Sequence, residues 1–169
     1  GRVFGQAGVL DASRMATFMA GETGLSAKDI HPLVIGGHGD AMVPLTRFST
    51  INGAPATAFL DDVAIAHINE RTRHGGAEVL ALRQVSSAYN APAAAVATMV
   101  DAICHDRRRI LPCVCNLDGE YGQTDITAGV PAILGRNGIE KVVELPLDDT
   151  ERSGFQASID SVRADLKQG

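Results

Sequence analysis

Arg136-Asn137-Gly138 stands between two apolar runs, residues 131–134 and 139–145. Asn-Gly flanked by apolar segments is the strongest short-range signal for a β-hairpin, because the glycine supplies the positive φ that such turns require. The hairpin commits this part of the chain to antiparallel pairing, and a further apolar run at 110–117 supplies another strand. Elsewhere apolar side chains recur at helical spacing. Met15, Phe18 and Met19 mark a helix that opens near Gly8-Val9-Leu10-Asp11 and ends near residues 21–24. Leu60, Val63, Ala64, His67 and Ile68 mark a second, which Gly75-Gly76 interrupts before 77–82 resumes it. Val96, Met99, Val100 and Ile103 mark a third with Pro92 in its first turn, and Phe155, Ile159, Val162 and Leu166 mark a terminal one. Residues 47–53 read as a strand closed by a turn, with a loop beginning at Pro55. The expected fold class is α+β, a largely antiparallel sheet packed against long helices, with residues 1–169 as one domain.

One more strand is short and carries the chemistry. Leu33-Val34-Ile35 is an apolar run that stops at Gly36-Gly37-His38-Gly39-Asp40, after which Val43-Pro44-Leu45 returns to apolar chain. The glycines beside His38 have no side chains, so a small molecule can reach the imidazole unobstructed. Asp40 either brings charge to the same place or braces the glycine turn through backbone hydrogen bonds. Asp11, at the start of the first helix, reads by itself as a helix cap, and Arg14 three residues on as its surface ion-pair partner.

Composition limits the functions open to such a chain. With 45% hydrophobic residues among 169 it has material for a substantial core. A net charge of −5 and the lack of a basic stripe argue against a nucleic-acid partner, leaving Arg107-Arg108-Arg109 as the solvated edge of a strand. No apolar run is long enough to span a bilayer and no signal peptide opens the sequence, so no membrane partner and a cytoplasmic location are expected. The three cysteines give neither a disulfide framework nor a metal pattern; Cys113 and Cys115 are spaced to share one face of a strand as buried thiols. His67 and His74 lack a third ligand, so no metal is expected. The first residues carry no initiator Met and read as the interior of a longer chain.

Three segments, GQAGVLDASRMATFMA, VIGGHGDAMVPL and SAYNAPAAAVATMVDAI, resemble the C-terminal half of the lactate/malate dehydrogenase family, in particular its lactate-dehydrogenase-like bacterial malate dehydrogenases. The likeness runs from Gly5 to the end, anchored on Leu10-Asp11-Ala12-Ser13-Arg14 and Gly37-His38-Gly39-Asp40. No Gly-x-Gly-x-x-Gly follows an opening strand, so the family's N-terminal dinucleotide-binding half is absent from this sequence.

The resemblance implies a reaction and assigns residues to it. His38 corresponds to the family's proton donor and acceptor, a group suited to taking a hydroxyl proton near neutral pH as hydride leaves carbon. Asp11 corresponds to the aspartate that orients that histidine and raises its pKa, and Arg14 to the arginine that grips the substrate carboxylate. Relatives acting on lactate carry Glu where Gly37 stands and bulkier polar residues near Ser87-Ala88, so Gly37 and Ala88 point to malate. Residues near Pro44 and Ala88 would line the nicotinamide of NAD, which is held mainly by the other half. The implied partners are a 2-hydroxy or 2-oxo dicarboxylic acid, an N-terminal NAD-binding domain and further copies in a homo-oligomer. The alternatives are a lactate dehydrogenase and, for the isolated chain, a non-catalytic association module. Hydrolysis by a His38-Asp11 dyad lacks a nucleophilic Ser or Cys in a recognisable elbow.

Overall fold

The computed structural model describes residues 2–84 and 89–167. Its helices are α1 (Ala7–Thr23), α2 (Asp62–Arg83), α3 (Asn90–Cys104) and α4 (Asp149–Leu166). Its strands are β1 (Ile30–His31), β2 (Val34–Gly36), β3 (Met42–Pro44), β4 (Thr50–Ile51), β5 (Ala54–Pro55), β6 (Arg109–Asp118), β7 (Thr124–Gly135) and β8 (Gly138–Val142). All pairings are antiparallel, which agrees with the α+β expectation. The main sheet runs β3-β2-β7-β6, with β8 also on β7, and a small sheet runs β1-β4-β5. One edge of β7 pairs with β6 along its length, while β8 and then β2 share the other edge. The hairpin turns as expected: Gly135 pairs Gly138, whose φ of 89° is the conformation glycine tolerates best.

Helix α1 lies between the two halves of the core. Val9 and Leu10 join the cluster built on β6, β7, α3 and α4, whereas Ala12, Met15, Ala16 and Met19 join a second with Ile30, Val34, Met42, Ile51 and Ile68. Buried side chains of this size each contribute about 1.5–3 kcal/mol relative to exposure. They fix α1 on both sides and explain why its polar residues end up inside. Gly24, with φ of 70°, closes the helix by returning its N–H to the carbonyl of Ala20.

Several local expectations change. Gly75-Gly76 does not interrupt α2, because Gly75 is the buried point at which α2 meets α1: a Cβ there would sit 3.3 Å from Arg14 Cδ and 3.7 Å from the Phe18 ring. Packing offsets the roughly 0.5–1 kcal/mol that glycine costs a helix interior. Val63 and His67 face solvent, and α3 packs through Ala95, Met99 and Ala102 while Val96 and Val100 stay exposed. Short residues let α3 approach the sheet, so the larger apolar positions were a poor guide to its inner face. Strand β7 reaches back to Thr124, seven residues before the apolar run that signals it. Arg47 lies in a 3-10 turn rather than a strand, and Pro55 ends β5. Arg107 and Arg108 are surface ion-pair partners of Asp101 and Glu140. Cys113 and Cys115 are buried, and burial pushes their thiols up to about 12 and about 11. Among the described residues no helix is long and apolar enough to cross a membrane.

Candidate active site

His38 sits just past the end of β2, at the start of a single 3-10 turn, Gly39–Ala41. Its Nδ1 lies 2.8 Å from Oδ2 of Asp11. Asp11 is the fifth residue of α1, too far inside the helix to cap it; Gln6 occupies the N-cap position. The sequence reading of Asp11 as a cap is therefore wrong. The Asp11 carboxylate is fully buried (0% exposed), while the His38 ring is half exposed. Arg14 follows one turn later, its Nη1 3.5 Å from Asp11 Oδ1. That contact is no surface pair, since the Arg14 side chain is only 15% exposed. Its stem rests on Gly75, where a Cβ would stand 3.3 Å from Arg14 Cδ.

The electrostatics follow from this order. Asp11 Oδ2 accepts from the His38 ring, whereas Oδ1 is buried with no hydrogen bond and only the Arg14 charge nearby. The Asp11 hydrogen bond raises the His38 pKa above its usual value; partial burial and the Arg14 charge pull it down less. With Nδ1 committed, Nε2 makes no hydrogen bond among the described residues, on a ring that is half exposed. The arrangement thus leaves one ring nitrogen of a half-exposed histidine unpaired among the described residues, with a mostly buried guanidinium one carboxylate away. Such a set can accept a proton from a hydroxyl whose neighbouring carboxylate reaches Arg14.

The turn that carries His38 is held from two sides. The Gly37 N–H donates to Ser158 Oγ of α4 at 2.6 Å. Asp40 points out to solvent and meets Nδ1 of His74 on α2 at 3.1 Å, while Glu70 meets Nε2 at 2.9 Å. Neither sequence role for Asp40 includes that pairing. No local pattern revealed Ser158 or His74, which reach the turn from remote helices; the only trace was the glycine run itself. The glycines also do more than expose the ring. A Cβ at Gly37 would stand 3.0 Å from Ala41 Cβ, and Gly36 is packed on both sides by Gly129 and Ser158.

The other sequence candidates are less central. Pro44 is buried in β3 opposite Val34 and lines a cavity of about 610 Å³ between α2 and α4. Asp40 and Ala41 share that cavity but His38 does not. Ala88 lies outside the described residues. A second cavity, about 600 Å³, opens between α1 and β6 and includes none of His38, Asp11 and Arg14. Among the described residues no group of three or more His, Cys, Asp or Glu is placed to hold a metal.

The family profile described as lactate/malate dehydrogenase, alpha/beta C-terminal domain, matches residues 8–169. The chain belongs to the lactate/malate dehydrogenase family. It is 64% identical over 167 residues to a malate dehydrogenase of Thioalkalivibrio sulfidiphilus, covering 99% of this chain and 54% of that protein. Among solved structures, the malate dehydrogenase of Salinibacter ruber superimposes with a TM-score of 0.95 at 45% identity, over 98% of this chain and 54% of that one. A lactate dehydrogenase of Eimeria maxima, with NADH and oxamate, gives 0.93 at 35% identity, over 98% and 53%. The chain therefore spans about half the length of the family members it matches, and its fold is that of their C-terminal domain.

Proposed function

We propose that this chain is the substrate-binding half of an NAD-dependent malate dehydrogenase, with His38 as general acid and base. The observation that carries the reading is the His38–Asp11 contact at 2.8 Å, which joins a buried carboxylate to a half-exposed ring. A neutral His38 accepts the proton of the malate hydroxyl on Nε2 while hydride leaves the same carbon, giving oxaloacetate; in reverse, imidazolium returns the proton to the oxo group. The nicotinamide, when bound, supplies the acceptor or donor of that hydride. The site suits such a partner because the ring is half exposed and its Nε2 makes no hydrogen bond among the described residues. Asp11 fixes the tautomer of His38 and stabilises imidazolium, and Arg14 binds the carboxylate next to the reacting carbon. Pro44 and Ala88 are the positions on this chain assigned to the cofactor and substrate faces; the N-terminal half supplies the rest.

The high identity to malate dehydrogenases and Gly37 favour malate over lactate. The fold itself does not separate the two, since the lactate enzyme superimposes almost as well. The test is NADH oxidation by the full-length protein with oxaloacetate and with pyruvate. Faster reaction with oxaloacetate is expected; faster reaction with pyruvate overturns the substrate while leaving the acid–base role intact.

A second reading concerns the chain alone. Leu80 and Leu82 near the end of α2, Tyr89, and Val96 with Val100 on one face of α3 are exposed large side chains adjoining in sequence. Such a surface is a candidate to be covered by the N-terminal half or by a second copy, which makes the isolated chain an association module.

A further inference from the structure

We propose that Ser158 of α4 is a positioning residue for His38, holding the peptide ahead of it so that the ring meets Asp11 through Nδ1 and leaves Nε2 free for the substrate. This rests on the reading of His38 as the acid–base group and adds to it a residue 120 positions away in sequence.

The Ser158 side chain is 3% exposed, and a hydroxyl removed from water is tolerated when it is hydrogen-bonded. Its Oγ accepts the Gly37 N–H at 2.6 Å. Gly37 immediately precedes His38, and because the peptide unit is planar, fixing that N–H orients the Gly36-Gly37 linkage and the course of the chain into the histidine. The approach is close on both sides. A Cβ at Gly36, whose φ is 87°, would lie 2.6 Å from Ser158 Oγ and 3.1 Å from Ser158 Cβ. Across the strand, a Cβ at Gly129 would lie 2.6 Å from the Gly36 carbonyl oxygen. Gly36 is thus wedged between β7 and α4, and the absence of side chains there serves the packing of Ser158 as well as access to the ring.

Ser158 has little to do with holding α4 itself. Phe155 and Ile159 on either side of it are buried in the main core. The helix start is secured by a capping box between Asp148 and Glu151, and Arg47 reaches Glu151 at 2.6 Å. The helix is a fixed post, and the hydroxyl is what the post offers to the turn. Without it the half-exposed His38 would depend for its direction on the Asp11 bond and on the exposed contact between Asp40 and His74. A displacement of about 1 Å near reacting groups can cost on the order of a hundredfold in rate.

The test uses the full-length protein with Ser158→Ala and the near-isosteric Ser158→Cys, with His38→Asn as reference. Malate oxidation and oxaloacetate reduction are followed against pH. Ser158→Ala is expected to lower kcat roughly tenfold with little change in KM, an effect on orientation rather than on binding. A loosened Asp11 bond raises the His38 pKa less, so the pH limb for both directions should move to lower pH. Ser158→Cys should fall between serine and alanine, because sulfur is the weaker acceptor. Wild-type kcat with an unmoved limb in Ser158→Cys or Ser158→Ala overturns the proposal; should the alanine variant fail to fold, the cysteine variant decides. An active His38→Asn protein would instead overturn the acid–base reading itself, so the two failures are distinct.

Discussion

His38 and His74 meet carboxylates at nearly equal distance and are built differently. His38 has one ring nitrogen on Asp11 at 2.8 Å; His74 has both on carboxylates, Asp40 at 3.1 Å and Glu70 at 2.9 Å. The partner of His38 is fully buried, whereas Asp40 and Glu70 are 85% and 64% exposed. An exposed pair is screened by water and salt, so its contact does little to either group; a buried partner acts at much lower effective dielectric. The second difference is the nitrogen left over. Among the described residues His38 keeps one unpaired, and His74 keeps none. Distance alone would rank the two sites together, and burial with an uncommitted nitrogen separates them.

The largest expected effect tests that separation directly. In the full-length protein His38→Asn should lower kcat by about 10²–10⁴, the range over which a positioned acid–base group acts. His74→Asn should leave kcat within about threefold, a change well below that range. Steady-state rates of NADH oxidation measure both, and equal losses would mean that burial of the partner is not what distinguishes the sites.

A smaller effect sharpens the role of the buried partner. Asp11→Asn weakens the hydrogen bond and removes the charge that together raise the His38 pKa, so oxaloacetate reduction, which in the proposed mechanism needs imidazolium, should lose its neutral-pH activity and retreat to lower pH. Asp40→Asn should leave the profile where it is. Stability carries the same signature. Because the folded pKa is raised, the contribution of His38 is fully present below the unfolded value of about 6.5 and is lost as pH rises through the folded value. The difference in Tm between wild type and His38→Asn should therefore shrink across that window. A difference that grows with pH would contradict the assigned direction.

Much of this was legible in the sequence, for physical reasons that differ by element. The antiparallel sheet followed from Asn137-Gly138 and from the apolar run of β6, because turn chemistry and side-chain alternation are local. His38 stood out by its glycine run at a strand end, whereas Asp11 and Arg14 could be nominated only through their likeness to a family motif, and the structure brings all three together. Asp11 resembled a cap because the start of α1 was placed too late, and Arg14 resembled a surface residue because nothing local shows that Gly75-Gly76 will shelter it. Those glycines resembled a helix break because the second helix that fills the space above them is remote. The contacts of Ser158 and His74 with the His38 turn were illegible for the same reason: each is made across a long sequence separation, and serine or histidine on a helix is ordinarily a solvated residue. The exposed valines of α3 misled in the opposite sense, since apolar periodicity locates a stripe without saying which neighbour covers it.

The smallest effect probes the exposed histidine alone. Both of its acceptors and the ring itself lie largely in water, with the ring 54% exposed, so its attraction to Asp40 and Glu70 should be cut back as the Debye length falls to about 3 Å near 1 M salt. Arg73 competes for the same Glu70 carboxylate at 3.6 Å, which divides the attraction further. The Tm difference between wild type and His74→Gln should accordingly be small at low salt and vanish at high salt, as measured by thermal melts of the full-length protein. The corresponding difference for Asp11→Asn should persist, since ions do not enter the buried carboxylate site to screen it. A salt-independent His74→Gln difference would show that His74 braces the catalytic turn through packing against Asp40 rather than through charge, and the two histidine sites would then differ less in kind than their exposures suggest.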